Sequence, residues 1–470
     1  MSLSAYDLWD LPQNWVWASF AEVARVASNL ASPLDYPDLP HIAPNHIESE
    51  TGKLLPFSTA AADGVKSPKH LFTEGSILYS KIRPYLAKAT LVKFGGLCSA
   101  DMYPVTTGMD SDYLVNWLRS PAFTEFATRH QGRSVLPKIN KKALAGLPVP
   151  VPPLQEQKRI AFVLEEHLSR LGAVDKVLRD SALRIDRYLQ VSLQHMTSNY
   201  RSVRLRDVLA NGLTNGRSVP TRMGGFPVLR LTALSGPYVD TSQRKDGDWE
   251  ASEAHPFLVA PGDFLISRGN GSVSLVGRGS LALQIDAPIA YPDTIVRARP
   301  NSEKVDPEYL RIIWSSLHVR RQIESQARTT AGIHKVNQKI LGAVEFPLPD
   351  LLTQKKICAE WSELEQGGGR LGRTVAISER RSKNLRRSLL AEAFAGRLVR
   401  QDPADEPGDA LLARLRAERE AADVSKGRRH QTSGTPKSKS PPVSDELPVA
   451  ARTPAPVSAT QPIFDLEFPA

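Results

Sequence analysis

The chain has 470 residues, of which 41% are hydrophobic, with 60 Lys and Arg against 50 Asp and Glu. That length allows two to four domains with a substantial core, and no apolar run approaches the roughly 18 residues of a membrane helix. Met1 to Asp10 hold no basic stretch followed by an apolar one, so no secretory signal is expected. Two cysteines far apart, Cys98 and Cys358, exclude a disulfide scaffold and a Cys-rich zinc site, and a cytoplasmic location is expected.

Charge is unevenly spread. From Asp402 onward there are nine Lys and Arg against eleven Asp and Glu, so the net +10 is carried by the first 401 residues. Such a basic body points to an acidic partner, nucleic acid first, with a merely soluble basic protein as the alternative.

In chain order, β-rich runs at Ser76–Ser80 and Leu91–Phe94 sit among Gly and Pro, and a helix is expected over about 111–130. The run Pro148-Val149-Pro150-Val151-Pro152-Pro153 cannot continue a helix or pair as a central strand, and should be an extended, stiff lead-in. From Leu154 to Ser198 nothing breaks a helix. Ile160, Leu164, Leu171, Val174, Leu178 and Ile185 recur at heptad-like spacing, a coiled-coil seam pattern. A second globular part follows, with strands at Phe264–Ser267 and Thr294–Ala298 and a helix over about 307–326. The second long helix runs from about Leu351 to Leu398, with Ile357, Trp361, Leu364, Leu371, Val375, Leu385 and Leu389 along it. Gly367-Gly368-Gly369, at about 1 kcal/mol per Gly relative to Ala, predicts a kink or a frayed turn there. The two helices most simply pair with each other, antiparallel; the alternative is that each packs on its own globular part. Residues 409–424 could form a short charged helix. Residues 425–470 are rich in Pro, Ser, Thr and Ala and should be disordered, with Ile463 to Phe468 either a docking peptide or an inert end.

An internal repeat organises these elements. Shifted by 197 positions, Lys138–Ile160 falls on Lys335–Ile357 without a gap, and ten of 23 positions are identical. Weaker echoes are Gly75–Lys81 with Gly262–Arg268, Asp112-Tyr113-Leu114 with Glu308-Tyr309-Leu310, and Phe20–Val23 with Leu205–Val208. The chain therefore reads as a tandem duplication. The fold class is α+β: two mixed lobes separated by two long antiparallel coiled-coil helices, with a disordered C-terminal tail. The expected segments are 1–150, 151–198, 199–348, 349–400 and 401–470.

Catalytic motifs are missing. There is no G-x-x-x-x-G-K-[ST], no H-E-x-x-H and no G-x-S-x-G, and Asn-Pro-Pro followed by an aromatic does not occur. The stretch Arg268 to Gly279 lacks the third Gly of a dinucleotide fingerprint and reads as a flexible loop. This favours a binding protein without a metal or cofactor of its own. Basic residues do fall on loop-like segments at matching places in both repeats. In the first they are Lys66, Lys69, His70, Lys81, Arg83, Lys88, Arg133 and Lys138. In the second they are Arg217, Arg222, Arg244, Lys245, Arg268, Arg278, Arg328, His334 and Lys335. Arg and Lys neutralise phosphates and Arg can bridge guanine O6 and N7, while Asn270, Gln131 and Gln243 have the amide geometry to read adenine. Each alone could be an ordinary solvated side chain, and Asn140 and Asn337 could equally cap a turn.

Leu147-Pro148-Val149-Pro150-Val151-Pro152-Pro153-Leu154-Gln155-Glu156-Gln157-Lys158-Arg159-Ile160 resembles the junction in specificity subunits of type I restriction-modification enzymes where a recognition domain enters its spacer helix. Ser388 to Val399 resembles that family's ending of the second helix, and Ile77 to Pro84 a frequent segment of its target recognition domains. The resemblance covers about 1–400. It implies two target recognition domains, each reading one half of a split double-stranded DNA sequence. It also implies helices that set the gap and dock two modification subunits, which carry S-adenosylmethionine and methylate adenine. Restriction subunits using ATP and magnesium could join. The chain itself would then be non-catalytic. Asp350, Leu352 and Thr353 depart from the first junction, and the triple glycine and the tail lie outside the family pattern. The alternatives are a stand-alone nuclease or methyltransferase with a divergent active site, or a coiled-coil scaffold that never contacts DNA.

Overall fold

The computed structural model describes residues 6–27, 29–129, 137–330 and 332–431, and the chain divides into compact units at 1–411 and 412–470. The described part of the second unit, residues 412–431, is helical; the tail from 432, including Ile463 to Phe468, lies outside the described residues.

Each lobe is built on a four-stranded antiparallel sheet of the same design. In the first the order is Ala24–Val26, Met102–Thr107, Ile77–Ser80, Ala89–Leu91; in the second it is Thr214–Asn215, Ile295–Ala298, Phe264–Ser267, Gly279–Leu281. The run expected at Leu91–Phe94 thus ends where it was expected to begin. Their central strands, Ile77–Ser80 and Phe264–Ser267, are buried at every position, as β-branched and aromatic side chains between two packed layers should be. The first lobe adds a five-stranded sheet of Leu30–Ala31, Lys69–Phe72, Gly96–Cys98, Pro40–Ile42 and Ser58–Thr59. The second adds a hairpin of Thr221–Leu229 with Arg244–Gly247 and a ribbon of Gly269–Asn270, Ile333–Lys335 and Arg328–Thr330. The Gly-rich stretch expected as a flexible loop is therefore partly strand.

The helices expected over 111–130 and 307–326 are each two, Ser111–Arg119 then Pro121–Arg129, and Pro307–Trp314 then Leu317–Gln326. Pro121 cannot continue a helix, which turns Ser120 extended, and Ser316 caps the second helix of its pair by accepting from Val319 N at 3.4 Å. The duplication extends to backbone detail. Phe20 N donates to Leu147 O at 2.7 Å and Leu205 N to Val344 O at 2.9 Å. The Tyr113 hydroxyl donates to Pro150 O at 3.0 Å and the Tyr309 hydroxyl to Pro347 O at 2.7 Å.

The proline-rich run is extended, but it is a strand of a two-stranded ribbon: Val16↔Val151 through Ser19↔Pro148. With one neighbour only, Pro148 and Pro150 need donate nothing, which is how proline enters a sheet. The second lobe has the matching ribbon, Ser202–Arg204 with Glu345–Pro347, and helices of 44 residues follow the two, Leu154–Thr197 and Leu351–Phe394, each about 65 Å long.

These two helices pair antiparallel. Asp175 meets Arg386 at 3.2 Å, Leu189 lies over Gly368, and Leu193 packs with Trp361. Ile160, Leu164, Ile357 and Trp361 are buried; Leu171, Leu178, Ile185, Leu364 and Leu389 are half-buried. Val174, Leu371 and Leu385, expected in the seam, instead face solvent at 48%, 58% and 57% exposure. In mid-rod the facing positions of the second helix are Gly368, Gly372, Val375, Ser378, Ser382 and Arg386, so a leucine one residue away points about 100° aside. The helix runs unbroken through the triple glycine, without a frayed turn. A Cβ at Gly368 would meet Leu189 Cδ1 at 3.0 Å, so the missing side chain lets the helices approach.

The first lobe sits on the start of the first helix and the end of the second, where Phe394 packs edge-on against Tyr113 and Trp117 at 5.3 and 5.0 Å. The second lobe holds the other end, its core including Ile357. There Arg311 bonds Glu365 at 2.9 Å and Glu308 at 2.7 Å. Residues 395–411, expected as the end of the helix to 400 and as tail from 401, return to the first lobe: Gly408 N donates to Asn14 O at 2.9 Å, and Arg159 pairs with Asp405 at 2.5 Å. The start of the chain and the end of the second helix are thereby tied together.

Candidate nucleic-acid interface

In the first lobe the chain leaves the strand Ile77–Ser80 into Lys81-Ile82-Arg83-Pro84. This turn is pinned by the segment before Asn140: Ile82 forms a bridge with Lys138, Ile139 N donates to Lys81 O at 2.9 Å, and Arg83 N donates to Pro137 O at 2.8 Å. Arg83 is held at φ +48°, a conformation costing on the order of 1–3 kcal/mol for a residue with a side chain, and its guanidinium is exposed. Lys81 donates to Ala100 O at 2.6 Å and lies over the Tyr103 ring at 5.7 Å. Lys81 and Lys138 share one carboxylate, Asp101, at 3.8 and 3.2 Å, so the three cations keep a positive excess.

The second lobe repeats the construction. Val336 N donates to Arg268 O at 2.9 Å, matching Ile139 and Lys81, and Gly269–Asn270 pair with His334 and Lys335. Arg328 lies across the ribbon from Lys335. Arg268, Asn270, Arg328, His334 and Lys335 are thus gathered on one small ribbon, with Arg328 and Lys335 exposed. Beside it a cavity of about 250 Å³ is lined by Leu231, Thr232, Ser267, Asn270, Leu275 and Arg278 among others. The Ser267 hydroxyl there is buried without a hydrogen-bond partner. Arg278 is exposed and donates to Ser274 O at 3.1 Å. Asn140 and Asn337 cap the following helices, accepting from Ala143 N and Ile340 N at 2.8 and 2.9 Å.

Other basic residues are placed differently. Lys69 is buried and bonded to Ser67, His70 is buried, and Lys88 donates to Pro44 O at 2.7 Å; burial lowers the pKa of all three. Lys69 and His70 are thus held inside the lobe, and the Lys88 amine is turned onto the backbone rather than presented to a ligand. Lys66, Arg217 and Arg244 are exposed. Arg222 is neutralised by Asp248 and Glu250 at 2.9 and 3.1 Å, Lys245 donates to Val219 O at 2.6 Å, and Gln243 accepts from Thr232 at 3.2 Å. Arg133 and Gln131 lie outside the described residues. Sequence reasoning missed Met223, which is 96% exposed beside Gly224 at φ +71° on the Arg244 hairpin; the signal was an apolar residue before Gly-Gly in a β-rich run.

The family model of the type I restriction modification DNA specificity domain matches residues 13–174, the first lobe and the start of its helix. The chain is 46% identical over 184 residues to the EcoDI specificity subunit of Escherichia coli, covering 39% of this chain and 41% of that one. It is 28% identical over 312 residues to the EcoKI specificity subunit of Escherichia coli (strain K12), covering 60% and 66%. Over these spans it is similar to the specificity subunits of type I restriction enzymes. The matches to these two relatives span less than two thirds of either one's own length. A solved chain from a type I R-M system has the same fold, with TM-score 0.62 and 21% identity, over 83% of this chain and all of that one. Among the described residues no helix is long and apolar enough to cross a membrane.

Proposed function

We propose that the chain is the sequence-reading subunit of a type I restriction-modification complex and does no chemistry itself. Each lobe reads one half of an asymmetric bipartite site in double-stranded DNA, and the helix pair sets the gap. The helices also dock two modification subunits, which bring S-adenosylmethionine and methylate adenine; restriction subunits, with ATP and magnesium, could complete the assembly.

One observation carries this reading. Lys81, Arg83 and Lys138 in one lobe, and Arg268, Asn270 and Lys335 in the other, occupy the same crossing of two backbone segments. The two crossings sit on lobes at opposite ends of one stiff helix pair. Base edges are legible only from a facing groove, so fixed lobes impose fixed half-site spacing. Phosphate contacts supply affinity, and a few base contacts supply choice.

Exchanging residues 20–135 for those of a relative tests it. The expected result is a change in one half of the methylated site with the other half and the gap kept. A change in both halves would contradict independent reading lobes.

A further inference from the structure

The second long helix carries a charge pattern that the first lacks. Between Gly367 and Ala391 it holds seven Lys and Arg and a single carboxylate, Glu379. The facing part of the first helix, Val174 to Arg187, mixes four cations with three Asp. Gly368, Val375, Ser382 and Arg386 mark the side that meets the first helix. Arg370, Arg373, Arg380, Arg381 and Arg387 fall within about 120° on the opposite side, and all five are exposed. Arg387 reaches Glu50 of the first lobe at 2.8 Å. Among the described residues no ion pair is formed by the other four. Solvated helices usually alternate charge at i, i+3 and i, i+4, and like charges there cost a few tenths of a kcal/mol per pair; this helix accepts that cost.

Both lobes touch the second helix on the flank next to this stripe. The second lobe does so through Gln354, Trp361 and Glu365, the first through Leu390 and Phe394. The Arg387 end lies beside the first lobe's reading turn: Glu50 N donates to Leu86 O at 3.2 Å, three residues past Arg83. From there the stripe runs about 25 Å toward the second lobe, on the order of seven base pairs.

We propose that this arginine stripe binds the sugar-phosphate backbone of the unread duplex between the two half-sites. The inference rests on the two-lobe reading above, which requires that segment to pass along the rod. Guanidinium groups pair bidentately with phosphate and read no sequence there, so any spacer sequence suits them. One large apolar side chain, Ile377, lies within the stripe, too little for the core of a protein interface.

The test uses the full chain with Arg370, Arg373, Arg380 and Arg381 all changed to Gln, and separately all to Lys. Affinity for two 40-base-pair duplexes, one carrying the mapped site and one of random sequence, is measured across a salt series. The Gln variant should lose about 0.9 in the slope of log affinity against log salt per phosphate contact, about two to four in all, equally on both duplexes. The Lys variant should keep most of the slope, and both should keep the helical signal and Tm. An unchanged slope in the Gln variant overturns the proposal. So does an unchanged slope with loss of modification-subunit capture, which makes the stripe a protein-docking face. Absence of salt-dependent binding by the unsubstituted chain overturns the two-lobe reading instead, and this inference with it.

Discussion

Gln157 and Gln354 stand 197 positions apart and make the same two buried hydrogen bonds. Gln157 accepts from Asp110 N at 2.9 Å and donates to Pro152 O at 2.8 Å; Gln354 accepts from Asp306 N at 2.8 Å and donates to Pro349 O at 2.9 Å. Both are fully buried at the point where a long helix leaves its lobe. Changing either to Ala strands an amide N–H and a carbonyl away from water. Each change should cost about 1–3 kcal/mol in denaturant unfolding, and Gln354→Ala should cost the more, because Gln354 also donates to Lys304 O at 3.1 Å.

The glycines of the second helix should separate into two kinds. A Cβ at Gly367 meets nothing nearer than 4.0 Å and one at Gly372 nothing within 4 Å. Gly367→Ala and Gly372→Ala should therefore raise stability, by up to about 1 kcal/mol each. Gly368→Phe must push Leu189 aside and should lower Tm; thermal melts of the three variants decide the matter.

Both thiols should resist modification. Burial pushes Cys98 up to about 12, and burial with nearby Asp306 and Glu308 pushes Cys358 up to about 12. Iodoacetamide at pH 8 should label neither in the folded chain and both after denaturation, because the thiolate is the nucleophile. An unfolded thiol ionises near 9. The unfolded chain thus releases protons first as pH rises, and stability should fall between pH 9 and 12. Urea midpoints at pH 8 and pH 10 check the sign.

Substitutions among the cations should act by lobe. Arg328→Ala with Lys335→Ala should weaken binding through the second lobe's half-site and leave the first half's sequence preference intact. Lys69→Met should leave DNA affinity unchanged, because Lys69 is already spent on Ser67 inside its sheet. Binding titrations with duplexes altered in one half at a time distinguish these outcomes.

The duplication and the long helices were legible because both are periodic: Lys138–Ile160 repeats in register, and nothing between Leu154 and Thr197 can stop a helix. The strand at Phe264–Ser267 was legible as an apolar run between turn residues. What failed depended on tertiary contact. Gly368 reads as a weak helix residue until Leu189 is placed over it, and Leu371 reads as seam until the glycines and serines beside it take that side. Lys69 and Lys88 read as solvated cations, and only packing shows their amines turned onto backbone carbonyls. The docking of residues 395–411 leaves no periodic trace, since it rests on Gly408 and Asp405 meeting groups hundreds of positions away.

A map of methylated adenines in cells with and without this gene, its modification partners present, tests the central claim most directly. The account predicts two short, unlike blocks separated by a constant gap of arbitrary sequence, present only with the gene. One continuous block, or two blocks at variable separation, would contradict it.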